Sequence, residues 1–125
     1  MADHRDPLTY EIIGVAIAIH RELGPGLVES AYEDLLCSEL TEKGIAFRRQ
    51  VAVAVLYKGR KVDVGFKADL IVKDQVILEL KCVKKLKPVH DAQILTYMKL
   101  AQVRTGLLIN FHCHPLIDGI KRFVL

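Results

Sequence analysis
The segment GFKADLIVKDQVILELK, residues 65–81, constrains the fold more than any other stretch. Its two apolar, alternating arms flank the polar triplet Lys73-Asp74-Gln75, which reads as the turn of one tight β-hairpin. With those three residues in the turn, Val72 pairs with Val76, and counting back along both arms sets Asp69 opposite Glu79. Directly opposed side chains share a face, their Cβ atoms roughly 4.5 to 5.5 Å apart. Alternation then places Lys81 on that face and collects Ala68, Leu70, Val72, Val76, Leu78 and Leu80 on the apolar one. The same register opposes Lys67 to Lys81, a like-charge pair that needs a bulge or a bound phosphate to separate it.

An Asp, a Glu and a Lys on one face are more often the solvated side of a hairpin than a site. Glu79 departs from that pattern, because the arm VILELK is apolar on both sides of it and half-buries its carboxylate. Two close carboxylates repel unless a cation lies between them. A hard divalent ion fits, since Mg²⁺ is held by one or two carboxylates together with waters and substrate phosphate oxygens. An ammonium two residues along could orient or deprotonate a water that the ion activates, or offset charge building on a phosphate.

A chain of 125 residues, 51% of them hydrophobic, forms one globular domain, residues 1–125, with no room for a separate recognition module. Charge is uneven: residues 1 to 44 hold three basic and nine acidic side chains, residues 45 to 125 fifteen and six. The second stretch, which carries the carboxylates, suits a polyanion. Cys37, Cys82 and Cys113 are odd in number and far apart, which argues against a disulfide framework or a zinc site and for a reducing, cytoplasmic setting. The apolar run Ile12 to Ile19 is too short to span a bilayer and follows acidic residues, so neither a signal peptide nor a membrane anchor is expected.

Asp6-Pro7 opens a helix carrying Leu8, Ile12, Val15, Ile19 and Leu23 at helical spacing, and Gly24-Pro25-Gly26 ends it. A second helix runs from about Val28 to Lys43-Gly44, with Ala31, Leu35 and Leu40 as its apolar stripe. From Phe47 the period changes to two: Val51, Val53 and Val55 alternate, Lys58-Gly59 turns, Lys61 to Val72 continues extended, and Gln75 to Cys82 completes a three-stranded antiparallel meander. A helix over Val89 to Ala101, the apolar strand TGLLINF and a short edge strand within Gly119 to Leu125 follow. The order is ααβββαββ, an α/β sandwich with a mixed sheet.

This architecture with its D…ExK hairpin resembles the PD-(D/E)XK nuclease superfamily. Gly26-Leu27-Val28-Glu29-Ser30-Ala31-Tyr32 reads G-x-x-E-x-x-Y, and with GFKADLIV, ILELK, HDAQILTYMKL, GLLINF and DGIKRFV it is similar to the GxxExxY proteins of that superfamily from about residue 8 to 124. The resemblance implies a nuclease-like sandwich whose αβββαβ core is preceded by an extra N-terminal helix. It implies that Glu29 joins Asp69 and Glu79 as a direct or water-mediated ligand of Mg²⁺ or Mn²⁺. It also implies that Gln93 and Tyr97, at i and i+4 on one helix face, hold the scissile phosphate or steady Lys81. Ala68 stands where the superfamily has its name-giving Pro; only the Asp is chemically required.

The catalytic candidates are therefore Glu29, Asp69, Glu79, Lys81, Gln93 and Tyr97, and the nucleic-acid contacts Lys84, Lys85, Lys87 and Arg48. The leading expectation is a metal-dependent phosphodiesterase that cleaves DNA before RNA through a cation-activated water. The alternative is a nuclease-fold binding or adaptor protein with weak or absent catalysis; a homodimer or a protein partner is compatible with either.

Overall fold
Asp6 starts the first helix by hydrogen bonding. Its carboxylate accepts from the backbone N–H of Leu8 at 3.1 Å and of Thr9 at 3.4 Å, while Pro7 supplies a first helical position that needs no donor. The computed structural model describes residues 6–62 and 66–125. Helix α1 (Pro7–Leu23) ends at Gly24 with φ 76°, and α2 (Glu29–Glu42) is followed by Gly44 with φ 72°, both left-handed stops that glycine reaches without strain. The strands are β1 (Phe47–Ala52), β2 (Val55–Tyr57), β3 (Arg60–Val62), β4 (Lys67–Val72) and β5 (Val76–Lys81). Helix α3 (Pro88–Ala101) then leads to β6 (Thr105–Asn110) and β7 (Ile120–Val124).

Five strands form one mixed sheet in the order β1-β4-β5-β6-β7. Among the described residues only β5 and β6 run parallel, and α3 is the crossover that a parallel pair requires. Helices α1 and α2 cover one face through Ile12, Val15, Ile19, Tyr32, Leu36 and Leu40, against Leu70, Val72, Leu78, Leu80, Leu107 and Ile109. Helix α3 covers the other through Ile94, Tyr97 and Met98, against Ile71, Ile77 and Leu108. This is the expected α/β sandwich. Gly106 permits the close approach of α3, because a Cβ there would lie 2.6 Å from Met98 Sδ and 3.1 Å from Ile94 Cδ1. Among the described residues no helix is long and apolar enough to cross a membrane.

Four expectations are corrected. The inward face of α2 is Tyr32, Leu36, Cys37 and Leu40, with Ala31 and Leu35 only half-buried, because the Tyr32 ring stacks on Phe111 with centroids 4.2 Å apart and sets the helix phase. Leu23 lies exposed at the end of α1. The Lys58-Gly59 turn belongs to a separate two-stranded hairpin of β2 and β3, so β1 pairs directly with β4, and residues 63–65 of the expected long arm lie outside the described residues. Lys67 does not oppose Lys81: it pairs with Ala52 of β1, while Lys81 pairs with Asn110 of β6.

Leu80, fully buried between the sheet and α1/α2, should be costly to truncate. Leu80→Ala is expected to lower the unfolding free energy by about 2–5 kcal/mol in urea denaturation, whereas Val124→Ala, at an exposed edge position, should stay within about 0.5 kcal/mol.

Candidate active site
The hairpin turn forms where expected. Lys73 (φ 52°) and Asp74 (φ 55°) take the positive φ that hairpin turns favour, and the ladder pairs Val72 with Val76, Ile71 with Ile77 and Leu70 with Leu78. One step further the ladder is replaced. The Asp69 N–H donates to Glu79 Oε2 at 2.9 Å, and the Leu80 N–H donates to Asp69 Oδ2 at 2.8 Å. Each carboxylate thus takes the acceptor place that a carbonyl of the neighbouring strand would fill, so these two donors stay satisfied. On the other side, β1 pairs Arg49 with Leu70 and Val51 with Ala68 but skips Gln50, which has φ 50°. Gln50 Nε2 instead lies 2.8 Å from Glu33 Oε1 and 3.4 Å from Asp69 Oδ1. Strand alternation slips at the same point: Ala68 packs on the α3 side although Leu70, two residues on, packs towards α1 and α2. The expected common apolar face of Ala68 and Leu70 is corrected accordingly.

Burial and mutual repulsion govern the charges here. Glu79 is 4% exposed, and burial followed by the Asp69 charge pushes its carboxyl up to about 8 against the pull of the Asp69 N–H. Burial also raises Asp69, opposed by the Leu80 N–H, and raises Glu29, opposed by the Lys81 ammonium. Lys81 Nζ lies 3.5 Å from Gln93 Oε1. The Tyr97 hydroxyl is raised by burial and then by the charges of Glu79 and Asp69, with Gln93 hydrogen bonding in opposition. Glu29, Asp69, Glu79, Lys81, Gln93 and Tyr97 are therefore brought together around the break in the sheet.

The donor chemistry suits a hard divalent cation. It offers carboxylate oxygens only, and Glu79 Oε1 has no hydrogen-bond partner among the described residues. No three His, Cys, Asp or Glu side chains among the described residues stand ready as a cage; Asp69 and Glu79 would hold an ion that keeps most of its waters. Glu29, at the first position of α2, lies near enough to Asp69 and Lys81 to feel both charges.

Several positioning residues gave little sign of themselves in the sequence. Tyr32 of the GxxExxY segment accepts the Leu27 N–H at 3.1 Å and donates to the Gly24 carbonyl, tying down the loop that presents Glu29. Buried Asn110 accepts the Val83 N–H at 3.1 Å and donates to the Val83 carbonyl at 2.8 Å, fixing the chain two residues after Lys81. Glu33 accepts from Arg49 Nε at 2.6 Å as well as from Gln50, joining α2 to β1 beside Asp69. Its i+4 spacing from Glu29 was the signal that could have found it. Lys84, Lys85 and Lys87 are exposed on the segment after Lys81. The Lys87 N–H donates to His90 Nδ1 at 3.0 Å, so His90 caps α3. Arg48 is not brought to the cluster; it pairs with Asp74 at 2.8 Å beside the hairpin turn.

The raised Glu79 pKa predicts a specific pH dependence. In metal-free protein Glu79 holds its proton more tightly folded than unfolded, so its contribution to stability is present below about 4.5 and is lost as pH rises through about 8. Melting temperatures of metal-free protein should therefore fall across that window. Glu79→Gln should flatten the fall and melt above wild type at its upper end.

A family model described as the PD-(D/E)XK nuclease superfamily matches residues 6–123. No curated protein and no solved structure matches the chain. The match spans both helical layers and every strand of the main sheet, including the β4–β5 hairpin that carries Asp69, Glu79 and Lys81. The chain belongs to the PD-(D/E)XK nuclease superfamily.

Proposed function
We propose that the protein is a Mg²⁺- or Mn²⁺-dependent phosphodiesterase, that it cleaves DNA in preference to RNA, and that it belongs to the GxxExxY group of the superfamily. The observation that carries this reading is the break in the sheet, where the buried Glu79 carboxyl and the half-buried Asp69 carboxylate have the Lys81 ammonium as a common neighbour. Ionising both groups is unfavourable without a counter-ion, which is why Glu79 holds its proton in the metal-free protein. A divalent cation between Asp69 and Glu79 would supply that counter-charge, lower the pKa of a water and polarise the scissile phosphate.

The chain's own groups take the remaining roles. Lys81, steadied by the Gln93 carbonyl oxygen, places its ammonium where charge develops on the phosphate or where the attacking water must be oriented. Tyr97 closes the α3 side of the cluster with a hydroxyl whose pKa is raised by burial and by the neighbouring carboxylates. Glu29 sets the limit of the site on the α2 side. Lys84, Lys85 and Lys87 hold flanking phosphates, while Arg48, engaged with Asp74, is left out of that path. Three free thiols support a reducing, cytoplasmic setting.

Cleavage of labelled single- and double-stranded DNA with Mg²⁺ or Mn²⁺ tests the proposal. Lys81→Ala should lower turnover by about 10²–10³-fold with little change in affinity, because it removes a group that acts in the transition state. Replacing Lys84, Lys85 and Lys87 with alanine should instead weaken binding and flatten its log–log salt slope by about 0.7–0.9 for each phosphate no longer neutralised. Salt-dependent binding with no cleavage under any metal would replace this reading with the binding-module alternative. Absence of both would remove each of them. Metal should also raise the melting temperature of wild type but not of Asp69→Ala, since only a ligand that favours the folded state stabilises it.

A further inference from the structure
Beside the carboxylate cluster, Phe66, Val89, Ala92, Gln93, Thr96 and Tyr97 line a cleft of about 280 Å³. Val89, Ala92, Gln93 and Thr96 recur at i, i+3, i+4 and i+7 on α3, so they form one helical wall next to the buried Ile94–Met98 stripe. Phe66 forms the opposing wall, its ring 5.6 Å from that of Tyr97 and inclined to it by 53°. Two large apolar side chains stay open to solvent here, Phe66 at 39% and Val89 at 64%. Exposed apolar walls at the rim of a charged site mark a contact surface.

We infer that this cleft is a nucleobase subsite, which takes the base of an unpaired nucleotide adjoining the phosphate at Lys81. The inference rests on the nuclease reading above and narrows its substrate to single-stranded or frayed nucleic acid. Three observations select this occupant. The cleft is continuous with the cluster, because Gln93 lines it and also meets Lys81 Nζ, while Tyr97 lines it and faces Glu79 and Asp69. Its polar groups are few, the Gln93 amide and the hydroxyls of Thr96 and Tyr97, which suits the flat apolar face of a base better than an ionic group. Lys81, Lys84, Lys85 and Lys87 supply the positive charge that the attached phosphates need. Aromatic rings stack on any base, so the subsite would be tolerant of sequence. A base inside a duplex has both faces covered by its neighbours and cannot reach Phe66 without leaving the stack.

Fluorescence anisotropy in the presence of chelator, with a labelled single-stranded oligonucleotide and a blunt duplex of the same composition, tests the subsite without cleavage. Phe66→Ala should weaken single-strand binding by roughly 5- to 150-fold, the range of one aromatic–base stack, and leave duplex binding and the salt slope unchanged. Phe66→Leu keeps the apolar bulk and should lose most of the same affinity while melting like wild type. A strand with an abasic position in the cleft should bind wild type as weakly as Phe66→Ala binds the intact strand. Equal losses on both substrates, or none on the single strand, would overturn the subsite while salt-dependent binding by wild type left the nuclease reading standing. If wild type binds neither substrate the subsite fails, and if it also cleaves neither with Mg²⁺ or Mn²⁺ the nuclease reading fails with it.

Discussion
The reciprocal hydrogen bonds between Asp69 and the β5 strand are the constraint on which the site depends. A β-ladder normally satisfies its N–H groups with carbonyls, and an unpaired buried donor costs about 1–3 kcal/mol. Here Glu79 accepts from the Asp69 N–H, and Asp69 accepts from the Leu80 N–H, so the strands can part without leaving those donors bare. The same bonds hold two carboxylates closer together than their charges favour. The interior supplies the restraint: Leu70, Leu78 and Leu80 on one side and Ile71 and Ile77 on the other fix both strands against the helices. Stability of the core is thus what keeps a repulsive cluster assembled.

Around that centre, each surrounding element contributes a tether as well as a side chain. The α2 helix reaches β1 through Glu33, Arg49 and Gln50, and Gln50 extends the link to Asp69. Tyr32 holds the preceding loop so that α2 begins at Glu29. Asn110 of β6 clamps Val83, and the Phe111 N–H donates to the Lys81 carbonyl at 2.8 Å, which sets the backbone on which Lys81 and the basic segment are carried. None of these residues needs to touch a substrate to matter, because groups that act on a transition state must be held in place beforehand.

The elements with strong periodicity were legible in the sequence. The Asp6-Pro7 start, the glycine stops, the 73–75 turn, the α3 helix and the apolar β6 strand all follow from local chemistry and spacing. Counting along the hairpin brought Asp69 to Glu79, since side-chain alternation leaves little freedom once a turn is fixed. What could not be read were the places where tertiary bonds override the local rule. Gln50 adopts a left-handed backbone that no local signal marks, and on the neighbouring strand Ala68 lies on the opposite face from Leu70. The inward phase of α2 is set by Tyr32 stacking on Phe111, seventy-nine positions away in the chain, a contact that helical spacing cannot disclose. Arg48 looked like part of a basic path, but its strand position turns it towards Asp74.

We propose the raised Glu79 carboxyl and its neighbour Asp69 as the cation ligands. A carboxyl that is protonated near neutral pH must lose its proton to bind a metal, so binding and proton release are coupled. Calorimetric titration of Mn²⁺ at pH 7 in two buffers of different ionisation enthalpy measures that release directly. Release of about one proton per ion bound by wild type is expected, falling towards zero well above pH 8, with no such release from Glu79→Gln. Mn²⁺ binding with no proton release at pH 7, or binding that Asp69→Ala and Glu79→Gln leave intact, would contradict it.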